Sequence, residues 1–331
     1  MEKVLSGIRS TGFLHLGNYF GAIKNFVKMQ EDYQCYFFVA DVHALTTHPD
    51  PAQLQKNVKN VLAEYVACGV DPNKSVIYIQ SDVPEIAELY MLLNMLAYKG
   101  ELEKVVTFKE KIKKHKENIN AGLLTYPVLM AADILIHRAN KVPVGKDQEQ
   151  HLEMTRNFAK RFNGRYGEFF PEPEAFNFSE ELVKVPGLDG SGKMGKSEGP
   201  GNAVFLRDDE KVIRKKVMKA KTDSGPTQPN EKKPVEIENL FSLMGLVSDK
   251  STIQHFEDQY NNCTVRYGEL KQQLAEDIIQ FTSPLKEKIV DLENNEQLLK
   301  QIAKDGAERA RESAIATIKG VKERMGISPI W

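Results

Sequence analysis

Residues 3–18 read Lys-Val-Leu-Ser-Gly-Ile-Arg-Ser-Thr-Gly-Phe-Leu-His-Leu-Gly-Asn. A short apolar and β-branched run, Lys3–Ile8, passes into a glycine-containing loop and then into the helical spacing of Asn18–Gln30. The order recurs: Cys35–Val42 (Cys-Tyr-Phe-Phe-Val-Ala-Asp-Val) precedes the helical stretch Pro51–Cys68, and Val76–Gln80 is a third run of the same kind. Apolar strands without a polar alternate need cover on both faces, so the pattern predicts an α/β fold, a Rossmann-like doubly wound parallel sheet. Lys141–Val144 is a further strand, ending at Gly145 and leading into a helix from about Asp147 to Phe162. Ligands of such sheets collect beyond the carboxyl ends of the strands, which directs attention to Gly7–Gly17, Asp41–Thr47 and Gln80–Pro84.

Working outward, 331 residues at about 150 per domain give two domains or one large domain with an appendage. The sequence divides into an α/β domain over 1–190 with a helical insertion near 84–125, a glycine-rich loop and hinge at 191–201, a helical domain over 202–295, and a C-terminal helix at 296–331 that packs back on the first domain. Helical spacing runs through Glu210–Lys221, Glu236–Leu246, Thr252–Tyr260, Thr264–Asp291 and Glu296–Met325, broken by the Pro-Thr-Gln-Pro turn at 226–229 and by Ser283-Pro284. A hydrophobic share of 41% with 27 residues of Phe and Tyr (16 and 11) provides enough apolar surface to oppose chain entropy, which excludes intrinsic disorder. A net charge of −1 excludes a molecule that is basic throughout for nucleic acid, while leaving local patches open. Cys35, Cys68 and Cys263 lie far apart with no Cys-x-x-Cys pair, and read as buried thiols of a reducing cytosol rather than zinc ligands. The N-terminus carries no signal-like apolar stretch, and Tyr126–Ile136 is too short to span a bilayer. The reading is a cytoplasmic protein with no membrane partner.

Three constellations carry chemistry. In the first, Gly17 and Asn18 fall at a helix start, where free N–H groups favour phosphate; His15 beside them suits either a catalytic or a structural hydrogen bond. The second, Asp189-Gly-Ser-Gly-Lys193-Met-Gly-Lys196-Ser197, sets two lysines three apart among glycines, as suits either a clamp on a polyphosphate leaving group or a solvated linker. It lacks the spacing of a Walker loop. The third is Asp133 inside the apolar run Tyr126–Ile136, a carboxylate that must find a partner or shift its proton affinity.

Together, His15-Leu16-Gly17-Asn18 and Lys193-Met194-Gly195-Lys196-Ser197 resemble the HIGH and KMSKS signatures of class I aminoacyl-tRNA synthetases. Ala121–Leu135, Val142-Pro-Val-Gly-Lys-Asp-Gln-Glu-Gln-His151, Gln80–Pro84, Gly100–Glu103 and Phe108–Lys111 extend the resemblance over nearly the whole chain, to the bacterial tryptophanyl-tRNA synthetase family. The resemblance implies catalytic roles for His15, Asn18, Lys193 and Lys196. It places ATP on Arg9, Ser10, Thr11, Gly17, Asn18, Gly145, Lys146, Asp147, Val185, Lys193, Met194, Gly195, Lys196 and Ser197, with Lys111 reaching toward the phosphates. It places tryptophan on Asp133, Tyr126, Met130, Gln148, Val142, Val144, His43, Leu5 and Gly7, with Asp133 accepting the indole N–H. Two departures stand out: Asn18 replaces the last His of the first signature, and Gly195 replaces the middle Ser of the second, removing a hydroxyl and adding loop freedom.

The implied reaction joins the tryptophan carboxylate to the α-phosphate of ATP, releases pyrophosphate, and passes the tryptophanyl group to the 3′ end of tRNA(Trp). Mg²⁺ is held mainly by ATP phosphates, with no protein metal ligand. Lysines 104, 109, 111, 113, 114 and 116, and the basic run Lys211, Arg214, Lys215, Lys216, Lys219 and Lys221, are candidate tRNA surfaces. The resemblance also implies a homodimer, for which the apolar Pro84–Tyr98 region is a candidate interface. Tyrosyl-tRNA synthetase, a small nucleotidyltransferase and a non-catalytic RNA-binding derivative are the competing readings.

Overall fold

The computed structural model describes residues 1–327 except 107, 110–111, 113–118, 146–147, 177–183, 191, 196–198 and 200. Five parallel strands form the sheet: β1 (Lys3–Arg9), β2 (Gln34–Ala40), β3 (Val76–Ile79), β4 (Lys141–Val142) and β5 (Glu174–Ala175). Their order, β3-β2-β1-β4-β5, winds outward from β1 in both directions, as the βαβ rhythm predicts. β5, two exposed residues long, has no apolar run, and the sequence reading missed it.

β2 shows why the sheet is covered on both sides. Every residue after Gln34 is buried, with Cys35, Phe37 and Val39 in one core cluster and Tyr36, Phe38 and Ala40 in the other. The first cluster is closed by α1, which begins as Leu16–Asn18, widens into a π-turn at Tyr19–Ile23 and continues as Lys24–Met29, and by α2 (Pro51–Ala67). Phe26 of α1 stacks on Phe37 with ring centroids 4.4 Å apart. Asp50 caps α2 by accepting the Gln53 N–H, and Pro51 occupies the first turn, where a missing N–H costs nothing. The second cluster is closed by α3 (Pro84–Asn94), α4 (Ala121–Ile136) and α5 (Glu149–Tyr166).

The remaining chain is helical: α6 (Glu210–Met218), α7 (Val235–Val247), α8 (Lys250–Asn261), α9 (Tyr267–Asn294) and α10 (Glu296–Met325). Contrary to expectation, α9 runs through Ser283-Pro284 without a break. The hydroxyls of Thr282 and Ser283 donate to Ile278 O and Ile279 O, both at 2.8 Å, bonding carbonyls in the turn that precedes the proline. Cys263 is a second correction: it is exposed, at φ 58° just beyond α8, whereas Cys35 and Cys68 are buried. Among the described residues no helix is long and apolar enough to cross a membrane.

The long α10 returns across the sheet and is fastened at several points. Arg309 donates to Pro72 O (2.6 Å) and Ser75 O (3.1 Å), Arg311 Nη2 lies 2.8 Å from Glu85 Oε1, and Lys322 pairs with Glu88. Where α10 meets β3 there is room only for glycine: a Cβ on Gly306 would stand 1.6 Å from Ile77 O. Gly306→Ala is therefore expected to destabilise the protein by about 3 kcal/mol or more through overpacking. Gly245→Ala, with open space around Cβ in α7, is expected to stabilise by about 0.5–1 kcal/mol. Urea unfolding midpoints of the two variants check both signs.

Candidate active site

Beyond the carboxyl ends of β1 and β4, where the winding of the sheet reverses, lies a cleft of about 580 Å³. That is the place and size expected of a small-molecule site in this architecture. β1 lines it with its last five residues, Leu5, Ser6, Gly7, Ile8 and Arg9, at the carboxyl end of the strand. α4 presents Tyr126, Met130 and Asp133, spaced four and three along one helical face, together with Ile134. All nine residues expected on the amino acid (Leu5, Gly7, His43, Tyr126, Met130, Asp133, Val142, Val144 and Gln148) line this one cleft. Gly7 is required by contact: a Cβ there would fall 2.6 Å from the Phe38 ring.

Asp133 is the only carboxylate among the described residues lining the cleft, and it is 1% exposed. Burial holds its carboxyl above the usual carboxylate range, and the hydrogen bonds from His43 and Gln80 act in the opposite direction. Gln80 Nε2 donates to Oδ1 at 2.8 Å, and His43 Nε2 lies 2.9 Å from Oδ2, donating when that nitrogen carries the proton. Both oxygens are thus engaged by the protein itself. Sequence reasoning treated Asp133 as an acceptor awaiting a ligand and missed Gln80; the apolar run showed a carboxylate in need of partners but not which strand end supplies them. Arg9 and Lys193, both exposed, add positive charge to the lining.

The two signature segments meet beside this cleft. Leu16 N–H donates to Val204 O at 3.0 Å and Leu206 N–H to Leu14 O at 2.9 Å, an antiparallel bridge centred on His15 and Phe205. Met194 N–H donates to Val185 O at 2.8 Å. A Cβ on Gly17 would lie 2.8 Å from His15 Nδ1 and 3.4 Å from Met194 Cβ. His15 caps α1 with its backbone N–H on Asn18 Oδ1 at 3.1 Å. Beneath this loop the fully buried Glu64 of α2 accepts the Leu14 N–H at 3.0 Å.

Of the residues expected on ATP, Arg9, Asn18, Gly145 and Lys193 line the cleft, whereas Ser10, Thr11, Gly17, Val185, Met194 and Gly195 do not, nor does His15. Ser10 is buried near Ala40 O, and the Met194 side chain is buried in the core. Lys146, Asp147, Lys196, Ser197 and Lys111 fall outside the described residues. So do Lys113, Lys114 and Lys116. In the second basic run, Lys216 is engaged by Asp208 Oδ2 (2.6 Å) and Ala203 O (2.9 Å), and Arg214 by Glu210 and Glu276. Phe38, Thr46 and Asn25 also line the cleft; strand parity from Ala40 could have identified Phe38, and helical spacing from Asn18 could have identified Asn25.

This sheet, its reversal-point cleft and the joined signature loops define a class I tRNA synthetase. A model of the tRNA synthetases class I (W and Y) matches residues 1–283, and the chain belongs to that family. It is 60% identical to the tryptophan–tRNA ligase of Porphyromonas gingivalis over 98% of this chain and 99% of that one. With the tryptophan–tRNA ligase of Caldanaerobacter subterraneus it shares 43% identity over 99% of both. The crystal structure of tryptophanyl-tRNA synthetase from Campylobacter jejuni, complexed with ADP and tryptophan, superposes with a TM-score of 0.88 at 37% identity, covering 98% of this chain and 99% of that one. Within the family, the branch is that of the tryptophan–tRNA ligases.

Glu64→Leu leaves the buried Leu14 N–H without its acceptor and is expected to cost about 1–3 kcal/mol. Glu64→Gln keeps an acceptor and is expected to cost less, as urea unfolding of the pair checks.

Proposed function

We propose that the cleft condenses L-tryptophan with ATP to tryptophanyl-adenylate and pyrophosphate, and then delivers the tryptophanyl group to the 3′ end of tRNA(Trp). The observation that carries this is Asp133, fixed at the cleft by His43 and Gln80 with Leu5, Gly7, Met130, Val142 and Val144 lining the same space. The indole lies among these apolar groups with its N–H directed at Asp133, and Tyr126 and Gln148 face the amino end. Discrimination follows from that acceptor: packing alone separates similar side chains by about 1–3 kcal/mol, whereas a placed hydrogen bond separates them further.

The chemistry needs no protein nucleophile. The substrate carboxylate attacks the α-phosphorus, the bond to pyrophosphate breaks, and the protein positions the reactants and stabilises the developing charge. Lys193, and Lys196 by the resemblance, act on the pyrophosphate; Asn18, Arg9 and Gly145 hold the nucleotide, and His15 fixes the loop beside it. Mg²⁺ enters with ATP as part of the substrate. Among the described residues no cluster of three His, Cys, Asp or Glu side chains forms a metal site. The exposed Lys211, Lys215, Lys219 and Lys221 are the part of the second basic run left for tRNA phosphates. The setting we propose is cytoplasmic.

The test is amino-acid-dependent exchange of pyrophosphate into ATP with each of the twenty amino acids. Exchange with tryptophan alone is expected, and exchange with tyrosine instead would overturn the assignment. Asp133→Asn is expected to raise the KM for tryptophan by about 10- to 100-fold, the loss of one buried hydrogen-bond acceptor. Lys193→Ala is expected to lower kcat by about 100- to 1,000-fold, the scale for losing one charge-stabilising donor.

We also propose a homodimer built on the end of α3, where Met91, Met95 and Tyr98 are 52%, 72% and 58% exposed. A second copy of the chain would remove this apolar surface from water. Sedimentation velocity is expected to show a dimer for the wild-type protein and a monomer for Met95→Glu; an unchanged dimer in the variant would place the interface elsewhere.

A further inference from the structure

At the opposite edge of the sheet, where the strands begin, a second cavity of about 410 Å³ opens between α10 and the first residues of β1, β2 and β3. Three cations line it, Lys3, Arg138 and Arg309, against one carboxylate, Glu312. The partners of the cations are neutral. Lys3 Nζ donates to His137 O at 3.1 Å and Ser313 Oγ at 3.5 Å, and Arg309 Nη1 is held by Pro72 O and Ser75 O. The Arg138 guanidinium lies 4.9 Å from the centroid of the Phe169 ring. Among the described residues none of the three forms a salt bridge.

Two partly buried cations, Lys3 and Arg309, and the exposed Arg138, with only dipoles and a ring face for partners, leave a positive potential that an anion would neutralise. Burial, and then the charge of Arg138, push the Lys3 ammonium below its ordinary pKa. Arg138 adds a backbone observation. It follows α4 at φ 50°, in the left-handed region where glycine or asparagine would sit with less strain. Three positive charges and one negative leave two positive, the complement of a phosphate dianion, and a guanidinium can bind two phosphate oxygens at once.

We propose that this cavity is a binding site for a small phosphate-type dianion, seated between Lys3, Arg138 and Arg309. Ser313 and Thr317 also line it and supply hydroxyl donors. Because Lys3 belongs to β1 and Arg309 to α10, the anion ties the last helix to the start of the sheet, and its binding stabilises the folded chain by mass action. The site is remote from the catalytic cleft, with which it shares no lining residue, and its test does not depend on the activity of that cleft.

Inorganic phosphate is the probe, titrated into the full-length protein by calorimetry and by urea unfolding. Saturable binding is expected in the wild-type protein and in Lys193→Ala. Lys3→Gln and the exposed Arg138→Gln are each expected to weaken it about tenfold, the effect of one lost charge-assisted contact. Glu312→Gln is expected to strengthen it, a gain that loss of packing would not produce. Tryptophan-dependent pyrophosphate exchange is expected to be the same in Arg138→Gln as in the wild-type protein. Absence of phosphate binding, or binding lost in Lys193→Ala but kept in both Lys3→Gln and Arg138→Gln, would overturn the proposal. So would a raised KM for tRNA in Arg138→Gln without phosphate binding in the wild type, which would assign these cations to an RNA backbone.

Discussion

The functional half of the molecule depends on a short antiparallel bridge. Leu14 and Leu16 exchange backbone hydrogen bonds with Leu206 and Val204, joining two segments almost the length of the α/β region apart in sequence. The bridge sets His15 against Phe205, edge to face, and Met194 packs next to Gly17. Each signature segment is short and anchors itself in the core through few side chains, Leu16 in the first and Met194 in the second. Backbone pairing adds to the order these buried side chains supply, and Glu64 secures it from below by accepting the N–H of Leu14.

The reversal of winding at β1 then decides what else enters the site. Chain leaving β1 in one direction builds β2 and β3, and β4 is added on the other side. The ends of β1 and β4 are therefore left open between helices, and α4 crosses beside them with four residues lining the cleft. The charge distribution is asymmetric: Asp133 is buried, whereas Arg9 and Lys193 are exposed and cationic. An apolar amine-bearing acid and a polyanion can thus occupy neighbouring parts of one cleft without competing for the same groups.

Much of this was legible in the sequence, for identifiable reasons. β1 to β3 announce themselves because a strand buried on both faces must be apolar at nearly every position. On α4, Tyr126, Met130 and Asp133 follow a period of three to four, whereas β1 lines the cleft with consecutive residues that no period marks out. What escaped were features with no periodic signature. β5 is two exposed residues, the π-turn at Tyr19–Ile23 is a change of backbone hydrogen bonding without a composition of its own, and the continuity of α9 at Pro284 coincides with two hydroxyls that bond backward. The pairing of Asp133 with Gln80 escaped for another reason: partners 53 positions apart meet only once the topology is known. The assignment of residues to ATP and tryptophan came from resemblance to a family rather than from spacing.

The double engagement of Asp133 has a consequence for how the cleft selects. With Gln80 on one oxygen and His43 on the other, part of the cost of burying the carboxylate is offset when the chain folds, before any ligand arrives. The carboxylate also cannot swivel, since turning it would break two bonds inside the protein. On the proposed function, a ligand donor would have to approach along a lone pair that these bonds leave over, so the acceptor would sort candidates by the angle of approach. A side chain of suitable bulk with its donor misplaced would then gain nothing from this acceptor.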